Sequence, residues 1–263
     1  LPTLQRVQNE KNRKPRPNAR LNEFIRAATV RYGRAQTTTT NYKPQPQTTN
    51  YKQTMTPIFI TGIGTGIGKT CVSAIVAKAL EADYWKPIQA GYEEGTDGEF
   101  VSSVLGDSGL TVFPEVYKLR QPASPHIAAR EEGIRINIGH ICNKIPINNR
   151  TLLIEGAGGL LVPLNETEFV ADLIHALNAK VILVSRNYLG SINHSLLTAR
   201  VCREMQLPVI GWVFNDQYLD YEDEIVKWSN FPRIASIPYS ENINGTFINS
   251  QAAAISKQLK AFL

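Results

Sequence analysis

The sequence predicts an α/β fold, a mostly parallel sheet with helices on both faces, on three observations. From residue 55 onward short apolar runs alternate with stretches of helical spacing. The runs are continuous and rich in β-branched residues, as strands buried on both faces are, rather than alternating. The first of them passes through a glycine-rich loop directly into a helix.

Taken in order, Ile-Phe-Ile-Thr at 58–61 is an apolar run stopped by glycine and reads as the first strand, and residues 69–82 follow as a helix. A second strand is expected over 83–88 and a short helix over 99–105. The β-branched runs at 151–155, 181–184, 209–215 and 234–238 each end in a polar, Gly- or Pro-containing loop and read as strands. Between and after them, 170–177, 192–205, 221–228 and 251–262 have apolar residues at helical spacing. In open parallel sheets ligands gather at the carboxyl ends of the strands, so the polar residues after each run are the functional candidates.

Composition narrows the classes. With 43% hydrophobic and 19% charged residues the chain is neither fibrous nor wholly disordered. No stretch approaches the roughly 18 apolar residues of a spanning helix, which excludes a membrane protein of that kind. Cys71, Cys142 and Cys202 are odd in number and widely spaced, with no CxxC pair, which argues against a disulfide scaffold or structural zinc and for a cytoplasmic setting. The net charge of +5 is unevenly divided: residues 1–54 hold 7 Arg and 4 Lys against Glu10 and Glu23, a net of +9, leaving −4 for 55–263. That first segment also carries a near repeat, Thr-Thr-Asn-Tyr-Lys at 39–43 and 48–52, among prolines and glutamines, and is expected to be a disordered basic extension. The sequence opens on Leu1, and Met55 immediately precedes the first strand. Translation is therefore expected to begin at Met55 and the extension to be dispensable; a targeting segment or a binding arm are the alternatives. The domain proper is 55–263, with no nucleic-acid or membrane partner expected.

The loop Gly62-Ile63-Gly64-Thr65-Gly66-Ile67-Gly68-Lys69-Thr70 between strand and helix has the order of a P-loop. Its glycines let backbone N–H groups wrap a phosphate chain at a helix N-terminus, Lys69 reaches the β- and γ-phosphates, and the Thr70 hydroxyl can ligate Mg²⁺. The usual spacing wants glycine at Ile63; Gly62, one step earlier, fits a loop lengthened by a residue.

Partition-type ATPases carry an additional loop lysine, and here Gly64 occupies its place. The lengthened loop without that lysine resembles the dethiobiotin synthetase family, and four further segments resemble that family's motifs in the same order: Lys86-Pro87-Ile88-Gln89-Ala90-Gly91, Ser124-Pro125-His126, Glu155-Gly156-Ala157-Gly158-Gly159, and Leu189-Gly190-Ser191-Ile192-Asn193-His194. One departure is Ala90, where many members have Ser or Thr. The resemblance implies a homodimeric, Mg²⁺-dependent ligase of biotin biosynthesis, which joins CO₂ to the diamine acid 7,8-diaminononanoate and closes a cyclic urea at the expense of ATP. It implies that Lys69 and Lys86 neutralise the carbamate and the transferring phosphoryl group, and that Thr70, Asp97 and Glu155 hold the metal. Glu93, Glu94 and Glu99 are alternatives to Asp97, and a plain solvated carboxylate is another. Ala90 and residues Glu155, Gly156, Ala157, Gly158 and Gly159 would line the substrate, and Asn215, Pro238 and Tyr239 the nucleotide base; a simple tight turn at 156–159, a plain Asn-Asp turn at 215–216 and an ordinary partly buried aromatic at Tyr239 are the alternatives. Gly190 and Asn193 would bind the substrate carboxylate from the partner subunit; the alternative for Asn193 is a cap on its own helix. His126 reads more readily as a packed or capping residue than as a catalyst. A cobyrinate-type amide synthetase and a partition or regulatory ATPase are the competing readings. The first needs a glutaminase domain for which no residues remain, and the second the missing lysine.

Overall fold

The computed structural model describes residues 56–216 and 219–263; the basic extension read over 1–54 lies outside the described residues. The first strand, β1 (Ile58–Gly62), is buried along its whole length, as its unbroken apolar run requires of a central strand. It leads through the glycine loop into α1 (Lys69–Leu80), whose apolar residues lie on every side because the helix is covered by the sheet and by other helices.

The expected strand at 83–88 is two strands in two sheets: β2 (Asp83–Trp85) stays in the main sheet, and β3 (Ile88–Ala90) leaves it to pair with β5 (Tyr117–Leu119). Pro87 is the cause. It has no N–H for a ladder, while its carbonyl accepts from the N–H groups of Val116 and Tyr117. The next helix, α2, runs Asp97–Leu105 rather than from Glu99. A capping box starts it, with the Thr96 hydroxyl accepting from Glu99 N–H (3.0 Å) and the Glu99 carboxylate from Thr96 N–H (2.8 Å). Asp97 is thus the first helical residue, not a loop residue.

After β4 (Val112–Phe113) and β5 come two short helices that periodicity did not reveal, α3 (Pro125–Glu131) and α4 (Ile138–Asn143). The remaining order is β6 (Leu152–Glu155), α5 (Val170–Ala176), β7 (Lys180–Arg186), α6 (Ser191–Glu204), β8 (Val209–Asn215), α7 (Glu222–Ser229), β9 (Arg233–Ile237) and α8 (Gly245–Lys260). The last helix begins six residues before the expected 251, at an Asn244 cap whose side chain accepts from Phe247 N–H.

The main sheet has seven strands, all parallel, in the order β4-β2-β6-β1-β7-β8-β9. One face packs on α1, α2 and α8 through Ile60, Tyr84, Leu153 and Val184; the other packs on α3 to α7 through Phe59, Trp85, Ile154 and Leu183. The chain moves outward from β1 to β2 and β4, returns to β6 beside β1, and then continues on the opposite side. That reversal puts the carboxyl ends of β1, β2 and β6 next to one another, where a crevice opens. Among the described residues no helix is long and apolar enough to cross a membrane.

Candidate active site

The glycine loop is shaped by two close approaches. A Cβ on Gly68, at φ +82°, would stand 2.0 Å from Asn215 Nδ2, and one on Gly62 would stand 2.3 Å from the Val184 carbonyl oxygen. Gly68 lets the chain turn into α1 with its first N–H groups facing the loop. Gly62 has a different part from the one expected: it ends β1 and accommodates the neighbouring strand. Thr65, Gly66, Gly68, Lys69 and Thr70 line a cavity of about 630 Å³. Gly64 contributes its carbonyl, which accepts from Lys69 Nζ at 2.7 Å.

The floor of the cavity is set by strand alternation. Side chains two apart along an extended chain share a face, so Tyr84 of β2 with Lys86 directly after its end, and Leu153 and Glu155 of β6, all point toward the α1 side. Glu155, 1% exposed in its side chain, receives Thr70 Oγ1 (3.0 Å) and Lys86 Nζ (3.0 Å) on Oε1, and the Tyr84 hydroxyl (2.9 Å) on Oε2. Asp97 receives Thr70 Oγ1 on Oδ1 at 2.6 Å and pairs with Lys86 through Oδ2. Glu93, Glu94 and Glu99 do not line this cavity, so Asp97 is the carboxylate that reaches it.

Charge sorts these groups. Burial disfavours the Lys86 ammonium, but Glu155 and Asp97 outweigh it and hold its pKa above the ordinary value. Burial acts on Asp97 in the raising direction and is overcome by Lys86, so its carboxyl titrates below the usual range. Burial, with Glu155 beside it, pushes the Tyr84 phenol well up and keeps it a donor. Lys69 is different: burial brings it down to about 8, with Glu155 only partly opposing. A phosphate chain at the loop would restore that charge. Nucleotide binding is therefore expected to take up almost no proton well below pH 8 and close to one well above it. Calorimetry in two buffers of different ionisation enthalpy measures this; uptake independent of pH would show that Lys69 stays charged in the free protein.

Thr70 Oγ1, Asp97 Oδ1 and Glu155 Oε1 form a convergent set of hard oxygens, the donor type Mg²⁺ takes. Among the described residues no group of three or more His, Cys, Asp and Glu is arranged to hold a metal. Mg²⁺ is commonly held by one or two carboxylates together with phosphate oxygens, so Thr70, Asp97 and Glu155 fit Mg²⁺ delivered with a nucleotide.

The other expected residues divide. Ala90, Ala157 and Gly158 line the cavity, as does Ser124; His126 faces a separate hollow beside Arg130 and Arg135, its Nδ1 3.0 Å from Ser124 Oγ. Gly156 and Gly159 do not line it: the Gly156 N–H is committed to the Ile60 carbonyl, and Gly159 packs on the Gly62 carbonyl. Asn215, Pro238 and Tyr239 come together with Gly66 and Gly68 around a second hollow of about 190 Å³. Ile67 is tied to this side, since its carbonyl accepts from Asn215 Nδ2 at 2.9 Å, which leaves the Asn215 carboxamide oxygen to accept from a base. Gly190 and Asn193 are not brought to the cavity. Gly190, at φ +101°, caps α6, and Asn193 is exposed on its first turn beside the exposed Leu189.

Sequence reasoning missed Tyr84, although the two-residue period that places it with Lys86 was readable. It also missed Arg186, which pairs with Asp216 at 2.8 Å beside the loop and joins the ends of β7 and β8; no motif marks it.

A family model described as an AAA domain matches residues 56–246. The ATP-dependent dethiobiotin synthetase BioD of Cytophaga hutchinsonii is 45% identical over 203 residues, covering 76% of this chain and 97% of that protein. The protein of the same name from Christiangramia forsetii is 44% identical over 202 residues, covering 76% and 96%. Among solved structures, a ParA family ATPase from Chlorobium tepidum TLS superposes with a TM-score of 0.48 at 16% identity, covering 79% of this chain and 97% of that one. With identity of this level running through nearly the whole length of those synthetases, the chain belongs to the dethiobiotin synthetase family.

Proposed function

We propose that this protein makes dethiobiotin in biotin biosynthesis, from 7,8-diaminononanoate, CO₂ and ATP, and that the cavity at the ends of β1, β2 and β6 is where it does so. The observation that carries the reading is the set Lys69, Thr70, Lys86, Asp97 and Glu155 around one cavity, two ammonium groups and a metal-type oxygen cluster at a phosphate loop. One amine adds to CO₂ and loses a proton, giving a carbamate. A carbamate oxygen attacks the γ-phosphorus and ADP leaves; the second amine then attacks the carbonyl carbon, phosphate departs, and the ureido ring is closed. Each step gathers negative charge, so no covalent nucleophile of the protein is needed.

The chain's residues position and neutralise. Lys69 and the loop N–H groups hold the phosphates in line. Lys86, which lines the cavity beside Asp97 and Glu155, offers its charge to the carbamate and the transferring phosphoryl group. Thr70, Asp97 and Glu155 would hold Mg²⁺, which would supply charge stabilisation to the phosphates. The Asn215 carboxamide oxygen suits a base with an exocyclic amine. Phosphate release tests the reading: it should require diamine and bicarbonate together, and release from ATP alone at the same rate would overturn it.

The substrate's carboxylate lies several carbons from its amines, and the protein works as a homodimer in which Gly190 and Asn193 of the second subunit bind it. Asn193 is supported in that part by its exposed place at a helix N-terminus away from its own cavity. Mixing Lys69→Ala subunits with Asn193→Ala subunits is expected to recover activity, because one site of the heterodimer then has both residues. Verified heterodimers with no recovery would leave Asn193 as a cap on its own helix.

A further inference from the structure

The carboxylate of Glu155 has two oxygens in unlike surroundings, and the difference is made by a residue outside the motifs. Oε1 faces Thr70 and Lys86, the cavity side; Oε2 accepts only from the hydroxyl of Tyr84 among the hydrogen bonds described for it. Tyr84 is fully buried in the apolar layer under α1, so its ring has no freedom to follow the carboxylate elsewhere. Register explains how it reaches: Tyr84 is opposite Leu153 in the parallel pair β2·β6, and its ring spans the rise to Glu155, two residues farther on the same face.

We propose that Tyr84 is a positioning residue for the metal site: its hydroxyl holds Oε2 of Glu155 so that Oε1 alone is presented to a cation beside Thr70. The inference rests on the metal ligands proposed above and concerns how one of them is aimed. Without the hydroxyl, a buried carboxylate that must still be satisfied rotates to engage Lys86 and Thr70 with both oxygens. That arrangement has to be undone before a cation can bind, so affinity falls. Loss of such an outer hydrogen bond to a ligating group commonly lowers metal affinity by about 10- to 100-fold.

The test uses Mn²⁺ and a non-hydrolysable ATP analogue, with free Mn²⁺ read by electron paramagnetic resonance, on the wild type, Tyr84→Phe, Glu155→Gln and the double variant. Tyr84→Phe keeps the ring in its apolar layer, and the double variant carries a neutral amide in place of the carboxylate, so the cycle does not depend on one fold surviving a bare buried charge. Mn²⁺ affinity should fall about tenfold in Tyr84→Phe, with metal-free nucleotide affinity unchanged, and the double variant should be no weaker than Glu155→Gln alone. Wild-type Mn²⁺ affinity in Tyr84→Phe, where Glu155→Gln is weakened, would overturn the proposal and leave the metal site standing. Additive losses would overturn it too, by placing Tyr84's effect elsewhere. Full Mn²⁺ affinity in both single variants would overturn the metal ligation itself.

Discussion

Lys86→Ala is expected to lower turnover by about a hundredfold, the effect of removing one preorganised charge, on the order of 3 kcal/mol, from a water-poor site. The side chain is 8% exposed and lies between Glu155 and Asp97. Its loss acts twice. The reacting carbamate and phosphoryl group lose a cation, and two carboxylates lose the charge that compensates them. Removing one partner of a buried pair is strongly destabilising, so the variant should also melt lower and regain stability when Mg²⁺ is added. Turnover at saturating substrates and melting curves with and without Mg²⁺ read the two effects separately. Near-normal turnover would remove Lys86 from the mechanism.

Gly68→Ala is expected to weaken ATP binding more than tenfold, by a route that involves no charge. At φ +82° a Cβ is strained by about 1–2 kcal/mol, and the same atom would meet Asn215 Nδ2 at 2.0 Å. Asn215 must then move, which breaks its bond to the Ile67 carbonyl and uncouples the phosphate loop from the base side. Titration of the variant with an ATP analogue checks this; wild-type affinity would mean that the loop and Asn215 are not rigidly joined.

Much of the frame was legible because its causes are local. The run at 58–61, the glycine loop and Lys69-Thr70 carry strand, turn and helix start in adjacent residues. Continuous apolar runs gave the parallel character of the sheet. The misses have equally specific causes. Thr96 and Glu99 spell a capping box that puts Asp97 in the first turn of α2, a signal present in the sequence but outweighed by the acidic, glycine-containing surroundings. Pro87 divides β2 from β3, and the partner of β3 is a three-residue strand with too few positions to show a period. For the site, Lys86 and Glu155 could be placed at strand ends, but their shared floor with Tyr84 depends on the register between β2 and β6, which no single segment contains. Gly156 shows the reverse: glycine is needed there because Phe59 packs 2.6 Å from where a Cβ would be, a tertiary contact that its own segment does not reveal.

The most direct test of the account follows the carbon. Supplying ¹³C-bicarbonate, ATP, Mg²⁺ and 7,8-diaminononanoate to the protein should place the label in a ureido carbonyl of the product, seen by carbon NMR, with one phosphate released for each ring closed. Phosphate released without labelled ring, or label incorporated without ATP consumption, would contradict it.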